Sequence, residues 1–134
     1  MKLLVINPNM TQAVTDAVAK AARAYASPGT EIVAVTGTFG PQVITSRAEN
    51  AIASHGILEL AAKHRHGADA IVLGVSPDTS LWALRELLDI PVVGMTEAGV
   101  HAACLVATRF AVLTYGKHMI ATYTDQVASY GLGG

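Results

Sequence analysis

The chain has 134 residues, 51% of them hydrophobic and only 14% charged, with nine Lys and Arg against ten Asp and Glu. That length suits one domain able to bury a core. The composition excludes a disordered chain, and the balanced charge leaves no electrostatic footprint for nucleic acid or an anionic membrane. One cysteine excludes a disulfide framework and a multi-cysteine metal site. The richest apolar stretch, residues 98–115, is interrupted by His101, Thr108 and Arg109 and falls short of the about 20 apolar residues a membrane span needs. The start, Met1-Lys2-Leu3-Leu4-Val5-Ile6, lacks the pattern of a signal peptide. The expectation is a soluble, cytoplasmic protein with no nucleic-acid or membrane partner, and with more apolar surface than one small domain needs.

Short apolar runs alternate with amphipathic ones. Leu3 to Ile6 reads as a first strand, continuous in hydrophobicity as buried parallel strands are. Asn7-Pro8-Asn9 ends it, and Asn9 with Gln12 offers a capping box. Apolar residues spaced by three and four predict a helix over about 10–25. Glu31 to Thr36 is the second strand, and residues 47–65 predict a second helix with Ile52, Leu58 and Leu60 inward. Asp69 to Gly74 is the third strand, 75–80 a polar turn, and 81–88 a short helix. Residues 90–95 are the fourth strand, 97–107 a very apolar helix, and 110–114 a fifth strand. Lys117 to Tyr130 is the last helix, with Gly131 where a C′ glycine belongs. The alternation predicts an α/β fold, a parallel sheet with helices on both faces. In such sheets ligands bind beyond the carboxyl ends of the strands. That selects 7–9, 36–40, 74–80, 96–97 and 114–116, all rich in Asn, Ser, Thr and Gly.

No glycine-rich nucleotide fingerprint follows the first strand, so no nucleotide cofactor is expected. His64 and His66 are two apart and do not share a helical face; with His55, His101 and His118 single, no metal site is expected. His101 reads as a hydrogen-bonded core or interface residue. Cys104, among Ala and Leu in mid-helix, reads as a small buried hydrophobe. Trp82 reads as packing, and Glu97 as a first-turn helix acid or a site residue.

Val-Ile-Asn-Pro-Asn-x-Thr at 5–11, Ala-Ser-Pro-Gly-Thr-Glu-Ile-Val at 26–33, Ala-Asp-Ala-Ile-Val-Leu-Gly at 68–74 and Arg-Glu-Leu-Leu-Asp-Ile-Pro-Val-Val-Gly at 85–94 carry a resemblance. Glu97-Ala98, His101, residues 109–114 and Tyr-Gly-Leu-Gly at 130–133 extend it. In order and spacing these segments resemble the hydantoin and allantoin racemases of the aspartate/glutamate/hydantoin racemase superfamily. The resemblance implies two flavodoxin-like α/β lobes with the site between them and no cofactor. It implies two cysteines, one per lobe, that take and return a proton at the substrate's Cα. A carbon acid beside a carboxylate is weak, so such thiolates need lowered pKa values and donors aimed at the enediolate.

Two departures follow from the same resemblance. Val75 holds the place of the first cysteine in Gly74-Val75-Ser76, and Cys104 lies on a different helix. The second cysteine belongs to a stretch absent from the sequence, so 1–97 is expected to be the first lobe and 98–134 the start of an incomplete second lobe. The matched positions Asn7, Asn9, Ser76, Thr114 and Tyr115 are the expected substrate-binding residues for a small carboxylate or hydantoin-like substrate. Three readings stand. One is a racemase-family enzyme impaired at Val75. Another is a non-catalytic small-carboxylate-binding relative. The last is a one-thiol decarboxylase of the arylmalonate decarboxylase type. Unfinished packing would expose Val100, Leu105, Ile120 and Val127, and a homo-oligomer is expected to cover them.

Overall fold

The computed structural model describes residues 1–132; Gly133 and Gly134 lie outside the described residues. The elements in chain order are β1 (Lys2–Asn7), α1 (Gln12–Tyr25), β2 (Glu31–Thr36), α2 (Arg47–His64), β3 (Ala70–Leu73), α3 (Leu81–Leu87), β4 (Val92–Val93), α4 (Met95–Val106) and α5 (Lys117–Ser129). The strands form one four-stranded parallel sheet in the order β2-β1-β3-β4. β1 pairs Leu3 with Ile32 on one side and with Ala70 on the other. The chain winds from β1 out to β2 and then crosses back to β3, so the winding reverses between β1 and β3. Such a reversal opens a crevice beyond the carboxyl ends of the two strands. Residues 7–9 and 74–79 meet there.

Side chains alternate along β1. Leu4 and Ile6 join Ile71, Leu73 and Val92 in a core covered by α2 and α3 through Ala53, Ile57, Leu60, Leu81 and Leu84. Val5 turns to the opposite face, where a Cβ built on Gly74 would touch both Val5 and Val18 of α1. Helices therefore cover both faces, as the βα alternation predicts. On α2 the inward residues are Ala53, Gly56, Ile57, Leu60 and Ala61; Ile52 is exposed and Leu58 only partly covered. Gly56 is a close approach rather than a break, since a Cβ there would lie 3.3 Å from the Phe39 carbonyl.

The helix starts differ from the sequence expectation. The Asn9–Gln12 box does not form: Thr11 is the N-cap of α1 and accepts no capping bond. Asn7 organises the turn instead. Its Oδ1 accepts the Asn9 N–H (3.0 Å), and its Nδ2 donates to Thr15 Oγ1 (3.0 Å). Gln12 Oε1 is taken by the Thr36 hydroxyl. The reciprocal box sits on α2, where Ser46 Oγ accepts the Glu49 N–H and Glu49 Oε2 accepts from Ser46 Oγ and the Thr45 N–H.

The expected fifth strand is absent among the described residues. Residues 107–116 connect α4 to α5 without regular structure, and no backbone hydrogen bond joins 108–115 to another described segment. A strand requires a partner edge. β4 is two residues long and α4 begins directly after it, so this β-patterned run finds none. It lies along α4 instead, with Phe110, Ala111 and Val112 beside Met95, Gly99 and Val100. A second correction is that Val100 is buried. Val127 is half-buried, while Leu105 and Ile120 are exposed as expected. Cys104 is exposed rather than buried, because only Val100 of α4 is buried. No helix among the described residues is long and apolar enough to cross a membrane.

Candidate functional site

At the crevice between β1 and β3 lies a cavity of about 530 Å³. Asn9 forms one edge of it, and Gly74, Val75, Ser76 and Pro77 of the β3–α3 turn form another. Val14 and Val18 of α1, Val43 to Thr45, Met95, Thr114 and Tyr115, and Met119 and Tyr123 of α5 complete the wall. Of the five residues expected from the sequence, Asn9, Ser76, Thr114 and Tyr115 line this cavity. Asn7 does not reach it. It is fully buried behind Asn9 and holds the turn through its bonds to Thr11, Thr15 and Asn9.

Val75 is 5% exposed, packs with the core cluster and is one of the lining residues. A branched alkyl group there can exclude water and touch a ligand, but it carries no exchangeable proton. Asn9 is also buried, and its Oδ1 has no hydrogen-bond partner. An unpaired buried acceptor is costly unless a ligand or water supplies a donor. Ser76 Oγ and Tyr123 Oη are paired at 2.5 Å, and the Thr96 hydroxyl donates to the Ser76 carbonyl. No charged side chain is among the lining residues. The arrangement can read a small, largely apolar ligand through hydroxyl and amide groups, but it places no cation against a carboxylate.

Sequence reasoning missed Tyr123 and Met119, which reach the cavity because α5 folds back over it. Their only signal was a shared helical face with Gln126, spaced by four and three. It also missed Asp78, a buried acid within a segment read simply as a polar turn. Glu97 resolves as a first-turn acid of α4: its carboxylate takes two bonds from Arg85, at 2.9 and 2.6 Å. These bonds hold the Glu97 pKa below the ordinary carboxylate value and raise that of Arg85. The Arg85 guanidinium also lies 5.1 Å from the centroid of the exposed Trp82 ring. His101 is hydrogen-bonded to the Glu97 carbonyl but exposed, not a core residue. Among the described residues no three His, Cys, Asp or Glu gather as a metal site.

A profile of the Asp/Glu/Hydantoin racemase family matches residues 3–134. A hydantoin racemase from Pseudomonas sp. (strain NS671) is 39% identical over 133 residues, 98% of this chain and 53% of that protein. One from Paenarthrobacter aurescens is 38% identical over 116 residues, 85% of this chain and 49% of that protein. Among solved structures, an allantoin racemase from Klebsiella pneumoniae superposes with a TM-score of 0.94 at 39% identity, covering 99% of this chain and 55% of that one. An allantoin racemase from Pseudomonas fluorescens does so with the same TM-score at 32% identity, covering 98% and 56%. The chain thus spans about half the length of the relatives it matches.

Proposed function

The chain belongs to the Asp/Glu/hydantoin racemase family, and we propose that it forms the first-lobe half of a binding site for a small hydantoin- or ureide-like molecule, with proton transfer impaired at Val75. The observation that carries this reading is a valine at position 75 of the cavity lining, where the family resemblance calls for a thiol. Residues 1–97 supply the sheet and the β1 and β3 turns, and 98–134 begin a second lobe. Asn9, Ser76, Thr114 and Tyr115 are the ligand-binding groups, and Asn7 supports Asn9 from behind. Hydantoin and allantoin, for which the relatives are named, are cyclic ureides. A dicarboxylate, by contrast, would lose its hydration in a cavity with no cationic side chain. That favours ligands of the ureide type over malonate-type acids and over free aspartate or glutamate. Racemisation at a carbon beside a carbonyl, without a cofactor, would need a proton-transfer group in place of Val75 and a second one outside this chain.

The proposal includes a homo-oligomer in a cytoplasmic setting. Leu105, Leu113 and Ile120 are apolar and exposed, Leu113 completely, and a second copy would remove them from water. Ligand binding is tested by thermal shift with 5-methylhydantoin and allantoin against malonate and aspartate at millimolar concentration. A ligand present at 100 times its Kd stabilises the folded state by about 2.7 kcal/mol. A rise in Tm with the ureides alone is expected. No rise with either, or a rise with malonate alone, overturns the reading.

A further inference from the structure

One buried carboxylate has no part in the reading above. Asp78 is 4% exposed and sits in left-handed backbone with φ +49°, a conformation short polar residues tolerate best. Its Oδ1 accepts the Thr96 N–H at 3.0 Å. Its Oδ2 accepts the Glu97 N–H at 2.8 Å, Gln126 Nε2 at 3.0 Å and the Tyr130 hydroxyl at 2.7 Å. The two ion pairs among the described residues are Arg47–Asp125 and Arg85–Glu97, so four dipoles hold this carboxylate and no cation does. Gly94 packs on it so closely that a Cβ would lie 2.5 Å from Asp78 Cγ.

Two of the donors come from the start of α4, just after β4, and two from the end of α5, which follows a long connection. The connection 108–115 leading into α5 makes no backbone hydrogen bond to another described segment. The Arg47–Asp125 pair on α5 is more than 60% exposed on both sides, and exposed pairs fix little. Yet α5 supplies two cavity-wall residues, Met119 and Tyr123. Tyr123, Gln126 and Tyr130 recur at three and four residues and so share one face of the helix. The first reaches Ser76 in the cavity, and the other two reach Asp78.

We propose that Asp78 is the positioning residue of the cavity: its carboxylate pins the start of α4 and the far end of α5 to the β3–α3 turn and so sets where Met119 and Tyr123 close the wall. The inference does not depend on which ligand fills the cavity. Charge-assisted hydrogen bonds to a fixed acceptor are short and directional. Two of the four, from Gln126 and Tyr130, therefore set the rotation and height of α5, and the other two, from the Thr96 and Glu97 N–H groups, fix the start of α4. Asp78→Asn keeps the size but turns an NH₂ toward groups that are themselves donors. Tyr130→Phe keeps the ring and removes a single donor.

The test uses the whole chain with ¹³C-methyl methionine. Four methionines give four methyl signals: Met119 is buried on α5, Met95 lies at the cavity, and Met1 and Met10 are exposed. In Tyr130→Phe and Asp78→Asn, the Met119 methyl is expected to move toward its unfolded position. Amide exchange across 119–127 should quicken at least about tenfold relative to β1 and β3, while Met10 stays in place. Arg47→Ala should leave Met119 unmoved. The proposal is overturned if Met119 and α5 exchange are unchanged, or if β1 and β3 exchange quickens by the same factor as α5. Should Asp78→Asn fail to fold, Tyr130→Phe decides by the same criteria.

Discussion

Gly94→Ala isolates the packing of the β4–α4 junction on the Asp78 carboxylate. Gly94 has φ −80° and ψ 141°, which alanine adopts freely, so backbone strain does not enter. The added Cβ would lie 2.5, 2.6 and 2.9 Å from Cγ, Oδ2 and Oδ1 of Asp78, against an ordinary contact of about 3.5–4 Å. The carboxylate must therefore retreat by about 1 Å. Bonds of 2.7–3.0 Å to Thr96, Glu97, Gln126 and Tyr130 cannot all survive such a move. Hydrogen bonds to a charged group contribute about 1.5–3 kcal/mol each, so losing two costs about 3–6 kcal/mol. Replacing glycine returns about 0.4–1 kcal/mol through the unfolded state. The expected net loss is about 3 kcal/mol, or about 10 °C in Tm for a chain of this size. Urea unfolding followed by far-ultraviolet circular dichroism measures it. Gly99→Ala, where a Cβ meets open space, is the control and should stabilise α4 by up to about 1 kcal/mol. The Gly94→Ala cost should also shrink in an Asp78→Ala background, because the obstructed group is gone. A Gly94→Ala protein within about 0.5 kcal/mol of wild type, the range of an ordinary neutral surface substitution, would refute the reasoning.

The pKa shifts predict stability changes at both ends of the pH range. Arg85 holds the Glu97 pKa below 4.5 in the folded state, so this contribution is present above pH 4.5 and lost as pH falls through the folded value; wild type should lose more stability than Glu97→Gln in that acid window. Burial, and then Asp78, raises the Tyr130 pKa above 10.0. Its contribution is therefore complete below pH 10.0 and declines as pH rises toward the folded value, and the decline should be shallower in Tyr130→Phe. If either variant shows the wild-type slope, the corresponding shift is refuted. Light scattering at micromolar concentration should show an oligomer that Leu105→Lys with Leu113→Lys dissociates; a monodisperse wild-type monomer would argue against the covered face.

The sheet was legible because its strands are continuous apolar runs closed by Asn, Gly and Pro. The parallel βα alternation also points to the strand ends as the place for the cavity. Element ends were less legible. Asn9 does not cap α1; Asn7 instead holds the turn, because its side chain is aimed at Thr15 from inside it. Phe110 to Thr114 reads as a strand in every local respect, but pairing is a property of the neighbouring edge, and β4 provides none. The burial of Asp78 depends on α4 and α5 converging from about 20 and 50 residues away, which local pattern does not reveal. The expected burial of Cys104 failed for the complementary reason. An apolar helix pattern records the surface meant to be covered, and in this chain the outer face of α4 is bare.

The most direct measurement of the central claim, that proton transfer is impaired at Val75, is deuterium uptake beside the carbonyl. The chain is incubated in D₂O with 5-methylhydantoin and with allantoin, and the Cα–H signal is followed by proton NMR against a protein-free sample. Valine cannot take or return a proton, so no uptake above the protein-free rate is expected. Uptake above that rate that persists in Cys104→Ala would contradict the claim.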